Sequence, residues 1–184
     1  QIGQNIWIDK SRRILESSVN LYQGHLDELK AFAPSADIKA TYADLDANWQ
    51  RYRQLLTGTP SLSNARRIAQ INEDALRVAH LGTTQFELFS PTSVGRLINI
   101  AGRQRMLSQR LAKFYMFRQW GISAPNMNTE MQLAKREFLS AMDALEQAPE
   151  NTDKIIGELS LARTQWLFFE SALQEQGVGN KNLH

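Results

Sequence analysis

Six basic side chains, Arg96, Arg103, Arg105, Arg110, Lys113 and Arg118, fall between Glu87 and Glu130 in a stretch that holds no acidic residue. The chain as a whole carries a formal net charge of +2, so everything outside this window sums to −4. Guanidinium groups gathered in this way can pair with carboxylates of another element, bind a small anion, or face a polyanion. Their spacing separates these options. On a helix, Arg96, Arg103 and Arg110 recur every seven residues and share one stripe, which should face solvent or acidic partners. Leu97, Ile100, Leu107, Leu111 and Phe114 form a second stripe, directed at a core. Arg105 lies on a third line with Val94, Ile98, Ala101, Ser108, Ala112 and Tyr115, most of them small or apolar. Gly102, one turn earlier, has no side chain to block a neighbour. Such a line reads as a seam for another helix, and an unpaired guanidinium buried there costs several kcal/mol. Arg105 should therefore meet either a carboxylate from a different helix or a planar oxyanion whose two oxygens match its coplanar donors.

The elements that must position these residues are helical throughout. Ile14, Leu15, Val19, Tyr22, Leu26 and Leu29 mark one face of a helix from about Gln4 to Ala33, ended by Pro34. Ile38, Tyr42, Leu45, Trp49, Tyr52 and Leu56 form a heptad seam on a second helix, from about Asp37 to Leu56. After the turn at Gly58 and Pro60, Ser63 is the expected N-cap of a third helix that runs to about Phe89. Ser90-Pro91 reads as the cap and first residue of the fourth, which carries the basic stretch to about Trp120, where Gly121 and Pro125 stop it. Thr129 with Gln132 has the capping-box pattern for a fifth helix to about Gln147. Pro149 ends that helix, Asn151 or Thr152 caps a sixth to about Leu173, and a polar tail from Gly177 should fray.

The two halves repeat each other. Ile38, Tyr42, Leu45, Trp49, Tyr52 and Leu56 map at a constant offset onto Ile155, Leu159, Ala162, Trp166, Phe169 and Leu173. Tyr22, Leu26 and Leu29 map one residue differently onto Phe138, Met142 and Leu145, and Ala33-Pro34 onto Ala148-Pro149. Slips at the turns are what loop variation produces. The expected architecture is all-α, an antiparallel helical bundle of about six helices built from two degenerate copies. The copies should span residues 1–90 and 91–176, with a flexible tail at 177–184.

The run from Ile98 to Lys113, Ile-Asn-Ile-Ala-Gly-Arg-Gln-Arg-Met-Leu-Ser-Gln-Arg-Leu-Ala-Lys, closely resembles the signature of the PilJ family, the N-terminal region of type IV pili methyl-accepting chemotaxis transducers. It is also similar to the periplasmic P-box of nitrate/nitrite sensor histidine kinases. Ala148-Pro149, Leu161-Ala162, Gln165-Trp166 and Phe168-Phe169 look like the family's continuation, so the likeness runs from about Gly95 to Leu173. The resemblance implies a periplasmic helical sensor. In nitrate-sensing relatives the anion sits at a two-fold dimer interface, held by backbone near the motif glycine and by the arginine three positions later. Those positions are Gly102 and Arg105 here, with Arg110 in support, and Arg103 also stands in the motif although the kinases lack an arginine there. The first copy departs from the pattern: Lys10 stands where Gly102 does and Ser18 where Arg110 does, although Arg13 aligns with Arg105. That copy is expected to be structural.

Other chemistries lack their residues. There is no cysteine, which excludes disulfides, zinc thiolates and cysteine catalysis. His25, His80 and His184 have no metal-ligand spacing, and neither a Gly-rich phosphate loop nor a nucleophile elbow is present, so no metal, cofactor or enzymatic role is expected. Trp7, Trp49, Trp120 and Trp166 suit packing. Nucleic acid is not an expected partner, since the basic residues are split over several faces with core residues between them. No run approaches 18 apolar residues, so no segment inserts into a membrane, although the chain opens on structured sequence at Gln1 and an upstream signal or anchor is compatible with it. The expected function is a non-enzymatic periplasmic sensor that binds nitrate or nitrite and relays to a signalling partner. The alternative is a ligand-free interaction module of a chemosensory or type IV pilus system.

Overall fold

The computed structural model describes residues 8–122 and 126–178, with side chains up to 171. The described residues form six helices and no strand: α1 (Ile8–Phe32), α2 (Ala36–Thr57), α3 (Leu62–Phe89), α4 (Ser93–Gln119), α5 (Met127–Glu146) and α6 (Asp153–Val178). The all-α expectation holds. Trp7, Pro125, the side chain of Leu173, His184 and the end of the tail lie outside the described residues.

The helix boundaries depart from the sequence reading where several hydroxyl side chains compete for one cap. Ser61, not Ser63, caps α3, its Oγ accepting from the Asn64 N–H at 3.1 Å. Ser90 closes α3 instead of opening α4: its N–H donates to the Phe86 carbonyl. Thr92 takes the start of α4, accepting from the Gly95 N–H at 2.9 Å. The capping box at Thr129 and Gln132 does not open α5, whose cap lies three residues earlier, at Asn126 in the left-handed region at φ 62°. Thr152 accepts from the Ile155 N–H, while Asn151 donates its amide to the Leu145 and Glu146 carbonyls and so closes the end of α5. α6 continues to Val178, beyond the expected stop.

The chain divides into two compact units. The first comprises Gln1–Pro91 and Phe117–Pro125, and the second Thr92–Met116 and Asn126–His184. In the first, α1 and α2 run antiparallel, with Lys30 paired to Asp46 and Trp49 Nε1 donating to Gln23 Oε1 at 2.9 Å. Its core collects Val19, Leu26, Ile38, Tyr42, Leu45, Trp49 and Val78. The predicted heptad seam on α2 is thus buried as far as Trp49, and Tyr52 and Leu56 pack at its edge. The Tyr52 hydroxyl donates to Asn72 at 3.1 Å, and burial, then the charge of Glu73, pushes the phenol up to about 12, so it stays a donor at neutral pH. Gly121, at φ 68°, ends α4, and Ile122 then packs with Ala65 and Ala69.

Gly82 on α3 is buried because the Tyr42 ring lies on its backbone: a Cβ built there would sit 2.8 Å from Tyr42 Cε2 and 2.9 Å from Cζ. Tyr42 is itself 3% exposed and in edge contact with Phe86, so it has little room to yield. Gly82→Ala is expected to lower unfolding stability by about 1–2 kcal/mol, because overpacking of about 1–3 kcal/mol exceeds the helix-propensity gain of up to about 1 kcal/mol. A urea melt checks this, and a stabilised variant would show that the ring moves freely.

In the second unit, α4 and α5 run antiparallel, as the pairs Arg103–Glu137 and Arg110–Glu130 show. α5 and α6 do likewise, through Lys135–Glu170 at 2.9 Å and through Arg163, which spans Asp143 and Glu146. Bonds to Glu146 and then Asp143 hold the Arg163 guanidinium above its already high ordinary value. Phe138 stacks on Trp166 with ring centroids 4.1 Å apart, and Trp166 meets Phe169 at 5.9 Å. The matched residues of the first unit do the same: Tyr22 meets Trp49 at 4.2 Å and Trp49 meets Tyr52 at 6.1 Å.

Candidate functional site

The three stripes of α4 have three different surroundings. Leu107 and Leu111 are fully buried and Phe114 nearly so, which makes the leucine stripe the core face as expected. Arg103 and Arg110, which have no acidic residue on α4 itself, find theirs on α5. Arg103 Nη2 lies 2.5 Å from Glu137 Oε2, and Arg110 Nη2 lies 2.6 Å from Glu130 Oε2. The Arg110 guanidinium also sits 5.3 Å from the Phe114 ring centroid. Both arginines are thereby committed to holding α4 against α5, whereas Arg96 is exposed.

The third stripe corrects the sequence reading. Val94 is 56% and Ile98 67% exposed, and Ala101, Gly102, Arg105 and Ala112 are exposed as well. The seam is open in the single chain, since small residues on a face allow a helix to approach but do not supply one. A Cβ at Gly102 would meet nothing within 4 Å. Arg105 makes no ion pair or side-chain hydrogen bond among the described residues. The cost of burying its charge therefore does not arise here, and its donors face solvent.

Beside Arg105, α4, α5 and α6 enclose a groove of about 370 Å³. Its floor is apolar, with Phe138, Met142, Trp166 and Phe169, and Gln104, Arg105 and Ser108 contribute from α4. Gln104 was not singled out by the sequence reading. It is 9% exposed, and its Nε2 donates to the Phe138 carbonyl at 2.9 Å, which fixes the amide so that Oε1 is left without a partner. Trp166 Nε1 is likewise buried and unpartnered. The repeat contained the signal that would have found it: Trp49 donates to Gln23, and at the offset that relates Tyr22 to Phe138, Gln23 corresponds to Leu139, which has no acceptor.

The two tryptophans should respond differently to loss of the indole N–H. Trp49→Phe is expected to cost about 1 kcal/mol more than Trp166→Phe, the value of one net hydrogen bond, because similar ring volume is lost at both sites. Equal costs in paired denaturant melts would mean that Trp166 Nε1 is bonded in solution.

These features define a helical module with one basic, glycine-containing helix exposed along a seam. Residues 88–154 match the PilJ family model, described as Type IV pili methyl-accepting chemotaxis transducer N-term. The match contains the whole Ile98–Lys113 motif and α5 but stops before Leu161, short of the continuation expected to Leu173. The match is to the N-terminal region of chemotaxis transducers, which suggests a sensory or signalling module. Neither a curated protein nor a solved structure matches the chain. Among the described residues, no helix is long and apolar enough to cross a membrane.

Proposed function

We propose that the chain is a non-enzymatic, periplasmic sensor module that binds a small oxyanion, nitrate or nitrite first, on the exposed Gly102–Arg105 face of α4 and passes the bound state to a signalling partner. The observation that carries this reading is the contrast among the motif arginines: Arg103 and Arg110 are spent on α5 carboxylates, while Arg105 is exposed and bonded to no carboxylate among the described residues. Gly102, one turn away, leaves the backbone accessible to an anion or to a second α4. In this reading the units are degenerate copies, supported by the matched aromatic pairs Tyr22–Trp49 and Phe138–Trp166. The second copy keeps the motif and the first serves as structure.

Calorimetric titration with nitrate, nitrite, sulfate and chloride tests the proposal. Saturable heat is expected with nitrate or nitrite, weakened at least about tenfold by Arg105→Ala, since a charge-assisted bond to an anion is worth roughly that much. Arg105 is exposed, so the variant should fold normally. No saturable heat with any of these anions, or equal affinity in the variant, overturns the anion site. A second reading, a ligand-free interaction module, is favoured by the apolar surface of α6, where Leu161, Leu167 and Phe168 are 52%, 62% and 73% exposed. It predicts concentration-dependent association without any anion.

A further inference from the structure

The groove between α4, α5 and α6 has more in it than a site for an inorganic anion would need. We infer that it is a binding site for a small organic acid: a carboxylate with an apolar, preferably aromatic, body and one uncharged hydrogen-bond donor. The inference rests on the reading of Arg105 as an anion-binding residue and extends it to a ligand with a carbon skeleton.

Buried side-chain donors and acceptors are almost always bonded, because leaving one without a partner costs its desolvation. Two belong to residues that line one groove: Gln104 Oε1, a buried acceptor on a side chain 9% exposed, and Trp166 Nε1, a buried donor on a side chain 4% exposed. They come from different helices, α4 and α6, and each is held in place by its own packing. The Gln104 amide is anchored to the Phe138 carbonyl, and the Trp166 ring is stacked on Phe138. Neither can turn away to solvent without giving up that contact. The first unit holds the equivalent tryptophan with an internal acceptor, Gln23, so the missing bond is a property of this copy and not of the packing.

The lining also specifies the ligand. Phe138, Met142, Trp166 and Phe169 offer an apolar and largely aromatic floor. Among the described residues, Arg105 is the charged residue in the wall and no carboxylate lines the groove, so an anionic ligand fits and a cationic amine does not. Trp166 Nε1 would donate to a ligand oxygen, and Gln104 Oε1 would accept from a hydroxyl or amide N–H. A volume of about 370 Å³ lies at the lower end of small-molecule pockets, which run from roughly 300 Å³.

The test uses 4-hydroxyphenylacetate and N-acetylphenylalanine as probes, each with a carboxylate, a ring and one neutral donor. The indole N–H signal of Trp166 is assigned in a nitrogen–proton correlation spectrum by its loss in Trp166→Phe, a variant that keeps the stacked ring. A saturable shift of that signal is expected with at least one probe. Calorimetric affinity for that probe should fall about tenfold in Arg105→Ala and severalfold in Trp166→Phe, as lost hydrogen bonds to a ligand do. If neither probe moves the signal up to about 10 mM while nitrate still binds, the organic-acid site is overturned and the Arg105 anion site stands. If neither probe nor nitrate binds, both fall. Binding that is indifferent to Arg105→Ala overturns the carboxylate assignment. A shift that follows protein concentration without probe shows that a second copy covers the groove, which also overturns the inference.

Discussion

Trp49→Ala is expected to lower unfolding stability by about 3–5 kcal/mol, the range for removing a buried large aromatic side chain. Trp49 is 4% exposed and holds three things at once in the first unit. Its ring contacts Tyr22 on α1 and Tyr52 further along α2, and its Nε1 bonds to Gln23 on α1. An alanine there leaves a void that α1 cannot fill by relaxing, because Val19 and Leu26 are already packed in the same core. The measurement is a urea melt followed by far-ultraviolet circular dichroism. A loss below about 1 kcal/mol would mean that the α1–α2 contact contributes little to the folded state.

The second large effect belongs to α4. Leu111→Ala should cost about 2–5 kcal/mol, since Leu111 is 0% exposed and its truncation adds a cavity term to the lost transfer energy. It is flanked in sequence by Arg110, which is tied to Glu130, so the helix cannot easily turn to close the gap. The same experiment on Ala112, the exposed neighbour on the open seam, should move stability by less than about 0.5 kcal/mol on substitution by serine. Reversal of that order would place the leucine stripe on the wrong face of the helix.

Much of the architecture was legible because helices announce themselves by spacing. Val19, Leu26, Ile38, Tyr42, Leu45 and Trp49 were placed on inward faces by the three-and-four pattern alone, and they are buried. The ends of helices were less legible. Where Ser61 and Ser63, or Ser90 and Thr92, stand close together, each has an oxygen able to cap, and the backbone path decides between them. The reading of Ile155 shows a different limit. It matches Ile38 in the repeat, yet Ile38 is 3% and Ile155 43% exposed, because a heptad records a face able to be covered and not the element that covers it. Arg105 shares that limit: residue types on its stripe suggested burial, but its exposure depends on which neighbours are present. Arg103 and Arg110 were read as one stripe meeting solvent or acids, and the acids that decide the matter, Glu137 and Glu130, lie on α5, where α4's own sequence cannot reveal them.

α6 has a thermodynamic character of its own. Among its described side chains Trp166 is the buried one, Leu159, Ala162 and Phe169 are half-buried, and charged contacts of Arg163 and Glu170 and the cap at Thr152 complete the attachment. The exposed Arg163 contacts contribute little and weaken with salt, and the partly buried Lys135–Glu170 pair is less screened. The one buried side chain among those described that keeps α6 docked is therefore an indole ring that also lines the groove. A helix with a single buried side chain opens at lower cost than the unfolding of the whole unit, so its amides are expected to exchange faster than those of α4. Anything that settles beside that ring changes the opening equilibrium of all of α6 at once. The helix is then a lever whose resting population, and not whose shape, registers occupancy.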